Sequence, residues 1–196
     1  LSNAFVSIWH PGTAVEGTDY TDGSGAIDDM TISAGSTTAT ANFTPTNDSI
    51  YEINTKLPLI KMDDINTNYI TPKISFRINP SDMKDHSTDN RLLTTDTIFD
   101  INRLGIADSF ESGKSLTLGV DFRQEKKDEI EKYLEMKLAT ILRDSEENKI
   151  PTSSSANRRA SNLFGSVENS FSEFFDLKYD FALDNDFNKL EYNSIE

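Results

Sequence analysis

The 196-residue chain contains no cysteine and only two histidines. The missing thiols exclude a disulfide framework, a thiolate nucleophile and a thiolate zinc centre, though they do not fix a compartment. His10 precedes Pro11 and His86 lies in SDMKDHSTDN. Neither belongs to a Ser-His-Asp arrangement or an HExxH motif, and GTDYTDGSG lacks both the spacing and the lysine of a phosphate loop. The sequence therefore offers no catalytic, cofactor-binding or metal-ligating set. No stretch approaches the ~20 apolar residues of a membrane-spanning helix. A membrane β-barrel remains open, because its signal is ~10-residue alternating segments. Basic clusters are absent beyond Arg158-Arg159 and the formal net charge is −14, so no nucleic-acid partner is expected. No signal peptide is visible and residue 1 is Leu, so the chain reads as an internal piece of a longer protein.

Lys and Arg are also absent from Leu1 to Glu52, where Glu16, Asp19, Asp22, Asp28, Asp29 and Asp48 are acidic; all 19 basic residues follow. This break predicts a boundary near residues 52–57, separating a segment at 1–52 from a larger unit at 53–196. The larger unit is a succession of period-two segments. In YITPKISFRIN (69–79), Ile70, Ile74, Phe76 and Ile78 face one way and Thr71, Lys73, Ser75, Arg77 and Asn79 the other. SLTLGVDFR (115–123), FFDLKYDFALD (174–184) and FNKLEYNSIE (187–196) repeat the pattern, and NLFGSVENSF (162–171) does so more weakly.

IEKYLEMKLATILRD (130–144) fits both periods. Its Glu, Lys, Leu, Met and Ala favour a helix. A lone helix would interrupt an antiparallel ladder, so a strand is expected, with Leu134, Met136, Leu138 and Leu142 on its apolar face. An amphipathic antiparallel sheet of this kind is either soluble, with one face on a core, or a membrane barrel with its apolar face toward lipid. The length of the segments, the lack of a covering helix and the alternation of short with long connections lean toward the barrel.

Two resemblances sharpen these expectations. VEGTDYTDGSGAIDDMTISAGSTTATANFTPTNDSIYE resembles part of a Calx-beta motif, over about residues 12–52, through Gly17, Thr18, Asp19, Tyr20, Ala34, Gly35, Ser36, Asn47, Asp48 and Glu52. Some members of that family bind Ca²⁺, which would make Asp19, Asp48 and Glu52 candidates; the alternative is that they are solvated turn residues. From about Leu57 to Glu196 the chain resembles the barrel region of the LptD family. LLTTDTIFDINRLGIADSFESGKSLTLGVDFR (92–123) carries the match most specifically, through Asp96, Phe99, Asn102, Arg103, Gly105, Asp108, Glu111 and Gly113.

The resemblance implies an all-β fold: antiparallel strands of a large outer-membrane β-barrel, preceded by a short incomplete β-sandwich-like segment. It also implies a non-enzymatic role in lipopolysaccharide transport and insertion into the outer leaflet. The partners implied are lipopolysaccharide, an LptE-like lipoprotein plug and the periplasmic Lpt bridge. Asn102, Arg103, Asp108 and Glu111 then have two readings. They shape a polar lumen or a surface loop on the lipid's path, or Arg103 pairs with a nearby carboxylate and pins a loop that folds into the barrel. The competing function is a soluble or surface β-rich interaction module, calcium-responsive through residues 16–52.

Overall fold

A computed structural model describes the backbone and side chains of residues 50–196 apart from Asp108, Ile130 and Glu173, and four short strands before them by backbone alone. The strands are β1 (Ala4–Trp9), β2 (Tyr20–Thr21), β3 (Asp29–Ile32), β4 (Thr44–Pro45), β5 (Tyr51–Lys56), β6 (Leu59–Met62), β7 (Asn66–Asn79), β8 (Gly113–Lys126), β9 (Tyr133–Arg143), β10 (Leu163–Ser172), β11 (Phe175–Leu183) and β12 (Leu190–Ile195). The one helical element among the described residues is a short 3-10 turn, Thr152–Ser154. Ten strands form one antiparallel sheet in the order β12-β11-β10-β9-β8-β7-β5-β1-β3, with β6 also on β7, while β2 and β4 pair separately. The sheet is not closed into a barrel.

Each alternating segment contains a strand, and the last is shorter than its pattern, with Phe187, Asn188 and Lys189 in the turn before β12. The ambiguous stretch is β9, paired along one side with β8 and along the other with β10. Ladder bonds on both sides hold its good helix formers extended. The compositional break near residues 52–57 coincides with β5, which pairs with β1 on one edge and β7 on the other. β5 and β6 keep a single register against β7, from Lys56↔Lys73 to Leu59↔Ile70. They are one long strand interrupted at Leu57–Pro58, opposite Thr71–Pro72. Proline has no N–H to give a ladder; Leu57 N still donates to the Pro72 carbonyl at 3.0 Å.

Short turns at 63–65, 127–132 and 173–174 lie at one end of the sheet. In the first, the Asp63 carboxylate accepts from the backbone N–H of Ile65 and Asn66 at 3.0 and 2.6 Å. At the other end the connections are 80–112, 144–162 and 184–189. The two longest fold back over one face. There Met83, Leu93, Ile98, Leu104, Ile106, Ile150 and Ala156 form a small core against Ala139, Ile141, Phe164 and Ala182 of the strands. Connection 80–112 is referred to below as the insert.

Candidate functional site

The two faces of the sheet invert the usual burial. Ser75, Arg77, Asn79, Ser115, Thr117, Arg143, Ser166 and Asp180 are buried. Ile70, Ile74, Phe76, Val120, Met136, Leu138, Leu142 and Leu177 are exposed. A soluble one-sided sheet would bury the second set and wet the first. Here the polar face is covered by the insert, and the apolar face is left uncovered among the described residues.

The apolar face has defined limits. On β8, Leu116, Leu118, Val120 and Phe122 lie between Lys114 and Gln124. Register aligns them with Phe76, Ile74, Pro72 and Ile70 of β7, and with Leu142, Thr140, Leu138 and Met136 of β9. Gln124 donates to Asn68 at 2.7 Å, and Asn169 occupies the same row on β10, beside Leu134. Ten residues separate the flanking Lys114 and Gln124, ~33 Å along the strand at ~3.3 Å per residue. A tilt of ~40° projects this to ~25 Å, the height of the lipid-facing band of outer-membrane barrels. Where the face has a gap, at Gly165, the ring of Phe181 on the neighbouring strand fills it; a Cβ there would fall 2.1 Å from that ring.

Beneath the insert lies a buried ionic cluster. Arg103 grips Glu111 with two hydrogen bonds of 2.7 and 2.5 Å and donates to Thr117 and Ser115 of β8 at 2.9 and 3.3 Å. Arg143 of β9 reaches the same Glu111 at 3.3 Å and donates to the Ser112 carbonyl. Arg77 of β7 pairs with Glu52 of β5 at 2.6 Å and donates to the Asp100 carbonyl at 2.7 Å. The side chains of Arg103 and Glu111 are 1% and 4% exposed. Burial by itself would raise the Glu111 carboxyl. The charge and hydrogen bonds of Arg103, with Arg77 and Arg143 behind them, overcome that and hold it down to about 2.

The rest of the insert is tied farther across the wall. Asp96 bridges Lys137 of β9 at 3.1 Å and Lys178 of β11 at 2.7 Å; hydrogen bonds from these lysines hold its carboxyl below the ordinary range. Thr95 donates to Ser166 of β10 at 2.9 Å. The Phe99 ring sits on Gly119, where a Cβ would come within 2.7 Å of it, and Lys73 Nζ stands 5.4 Å from the ring centroid. Asn102 closes its own turn, accepting from Ile106 N at 3.0 Å and donating to Ile106 O at 2.8 Å. Gly113 adopts φ +84, the left-handed backbone that lets the chain leave Glu111 and enter β8.

Of the residues singled out in the sequence, Asp96, Phe99, Arg103 and Glu111 thus converge on one function, fastening the insert to the polar face, while Asn102 shapes the insert's own turn. The structure supports the second reading of Arg103, which pairs with Glu111. Asp108, Asp19, Asp48 and His10 lie outside the residues whose side chains are described. Glu52, a candidate for calcium, is buried against Arg77 instead. His86 contacts Asp89 at 3.0 Å. Among the described residues no group of three or more His, Asp or Glu is placed to hold a metal, and no helix is long and apolar enough to cross a membrane. Sequence reasoning missed Arg143, Lys137, Lys178 and the Glu52–Arg77 pair. Their partners lie tens of residues away; strand register brings Glu52 to Arg77, and the course of the insert brings Glu111 and Asp96 to the others.

A family model described as LptD, LPS transport system D, matches residues 32–196. No curated protein and no solved structure matches the chain.

Proposed function

The chain belongs to the LptD family, an outer-membrane family that acts in lipopolysaccharide transport, and from that premise we propose that β5–β12 form part of the wall of a large barrel that assembles lipopolysaccharide at the cell surface. The exposed, row-limited apolar face meets the hydrocarbon of the outer membrane, and the polar face lines the lumen. The short turns then lie on the periplasmic side and the long connections on the outside, the arrangement usual in such barrels. The role is non-enzymatic: the wall guides an amphiphile, received from a periplasmic bridge of Lpt proteins, into the outer leaflet. An LptE-like lipoprotein would occupy lumen that the insert leaves free.

The observation that carries this reading is the apolar face, uncovered among the described residues and bounded on β8 by Lys114 and Gln124, which the tilt sets ~25 Å apart. The 196 residues hold no cysteine, so single labels can be placed in them once the full-length protein is cleared of thiols elsewhere. Val120→Cys and Leu138→Cys, carrying an environment-sensitive fluorophore in the reconstituted full-length protein, should be quenched by lipid-borne quenchers. Asp176→Cys on the inner face should not. Equal quenching at all three sites, or a chain that stays monodisperse in buffer without detergent, would overturn the proposal.

A further inference from the structure

Between the insert, connection 144–162 and the inner face of β10–β12 there is a cavity of about 230 Å³. Its lining combines polar side chains with aromatic rings. Asn162 is 6% exposed, yet its Oδ1 has no hydrogen-bond partner among the described residues. A buried acceptor left without a donor is unfavourable, so its persistence asks for a partner. Beside it Ser155, whose Oγ accepts from Asn162 N at 2.9 Å, holds a left-handed φ of 55 that non-glycine residues rarely adopt. Arg158 also lines the cavity and makes no side-chain ion pair among the described residues. Glu191, paired with Lys189 at 2.9 Å, supplies a second carboxylate oxygen, and Phe164 and Tyr192 supply rings.

This set is specific in its chemistry. Asn162 Oδ1 and Glu191 accept from hydroxyl groups. The Arg158 guanidinium matches a carboxylate or phosphate, to which it can give two parallel hydrogen bonds. The rings offer an apolar surface to the C–H face of a sugar. The lining mixes Leu92, Leu93, Phe164 and Ala182 with polar groups that an acyl chain would leave stranded, and the volume lies below the ~300–1,000 Å³ of sites for larger ligands. We propose that the cavity at Asn162, Arg158 and Tyr192 binds a single acidic sugar unit, a hydroxylated ring bearing a carboxylate or phosphate, from the saccharide portion of lipopolysaccharide. The proposal rests on the transport reading above and adds to it a fixed saccharide subsite on the lumen wall.

The test uses the full-length protein in detergent and, as probe, the oligosaccharide released from lipopolysaccharide by complete deacylation, followed by saturation-transfer NMR and calorimetry. Saturable binding is expected, weakened at least about tenfold in Arg158→Ala, since a lost charged hydrogen bond is worth about 1.5–3 kcal/mol. Asn162→Ala should weaken it as well where the barrel remains folded, whereas Lys149→Ala, remote from the cavity, should bind like the parent. Arg158 is exposed, so its variant keeps the test valid if Asn162→Ala fails to fold. Undiminished binding by Arg158→Ala overturns the proposal. So does equal affinity for inorganic phosphate, which would mark an anion seat rather than a sugar site, and so does a folded, detergent-inserted protein that binds no oligosaccharide. Detergent partitioning scores the barrel reading separately, so the two can fail independently.

Discussion

At the scale of single residues, the ion cluster under the insert decides most. Arg103 is enclosed with Glu111, Ser115 and Thr117, so truncation leaves a buried carboxylate with a reduced complement of positive charge. Arg103→Ala is expected to cost about 3–5 kcal/mol. It should be read as loss of the folded, heat-modifiable band on gels, with transport falling only in proportion to yield. Normal yield with selective loss of transport would assign Arg103 to the lipid's path instead. Arg103→Lys should recover only part of the stability, because an ammonium cannot reproduce the two-pronged grip.

Glu111 also gives a pH dependence. Its folded carboxyl, at about 2, lies below its ordinary value of 4.5. The stabilisation, on the order of 3 kcal/mol, is complete above about pH 4.5 and is lost as the pH falls toward 2. Acid titration of the refolded protein should show that loss, and Glu111→Gln should be less stable at neutral pH and nearly flat across the same window. The Arg103 pairing was legible because both partners sit in one short stretch. Arg143 and the Glu52–Arg77 pair were not, since no local pattern announces which residue of one strand faces which residue of another.

At the scale of strands, period-two alternation located β7 through β12 to within a few residues, including β9 against its own helix propensity. Alternation does not say which face is buried, because a lipid-facing and a core-facing strand carry the same pattern. The answer came from the insert, whose course over the polar face no periodicity describes. The prediction at this scale is directional. Leu138→Arg, in the middle of the apolar band, should destabilise the membrane-inserted protein by about 2–4 kcal/mol. If the same face met water, that residue, 38% exposed, would accept arginine at little cost. Urea titration in lipid vesicles separates the two. Gly165→Leu should displace Phe181 from its seat between β10 and β11 and lower stability by about 1–3 kcal/mol, the usual cost of overpacking, and Phe181→Ala in the same chain should relieve part of it.

At the scale of the whole molecule, composition and pairing divide the chain differently. The abrupt change in charge near residues 52–57 is real, yet the sheet continues through β5 and the LptD match begins at residue 32. Composition reports what solvent and partners meet, whereas pairing reports what the backbone needs, so the two need not break at one point. The ties of the insert have a further consequence. They reach back to β7 and forward to β8, β9, β10 and β11. None of those strands can be one residue out of step without turning its tethering side chain to the opposite side. The insert therefore docks completely only when every one of those strands has its correct alignment, which makes it a proofreader of assembly: a mis-threaded wall would betray itself by stranding an arginine or a carboxylate in the dark.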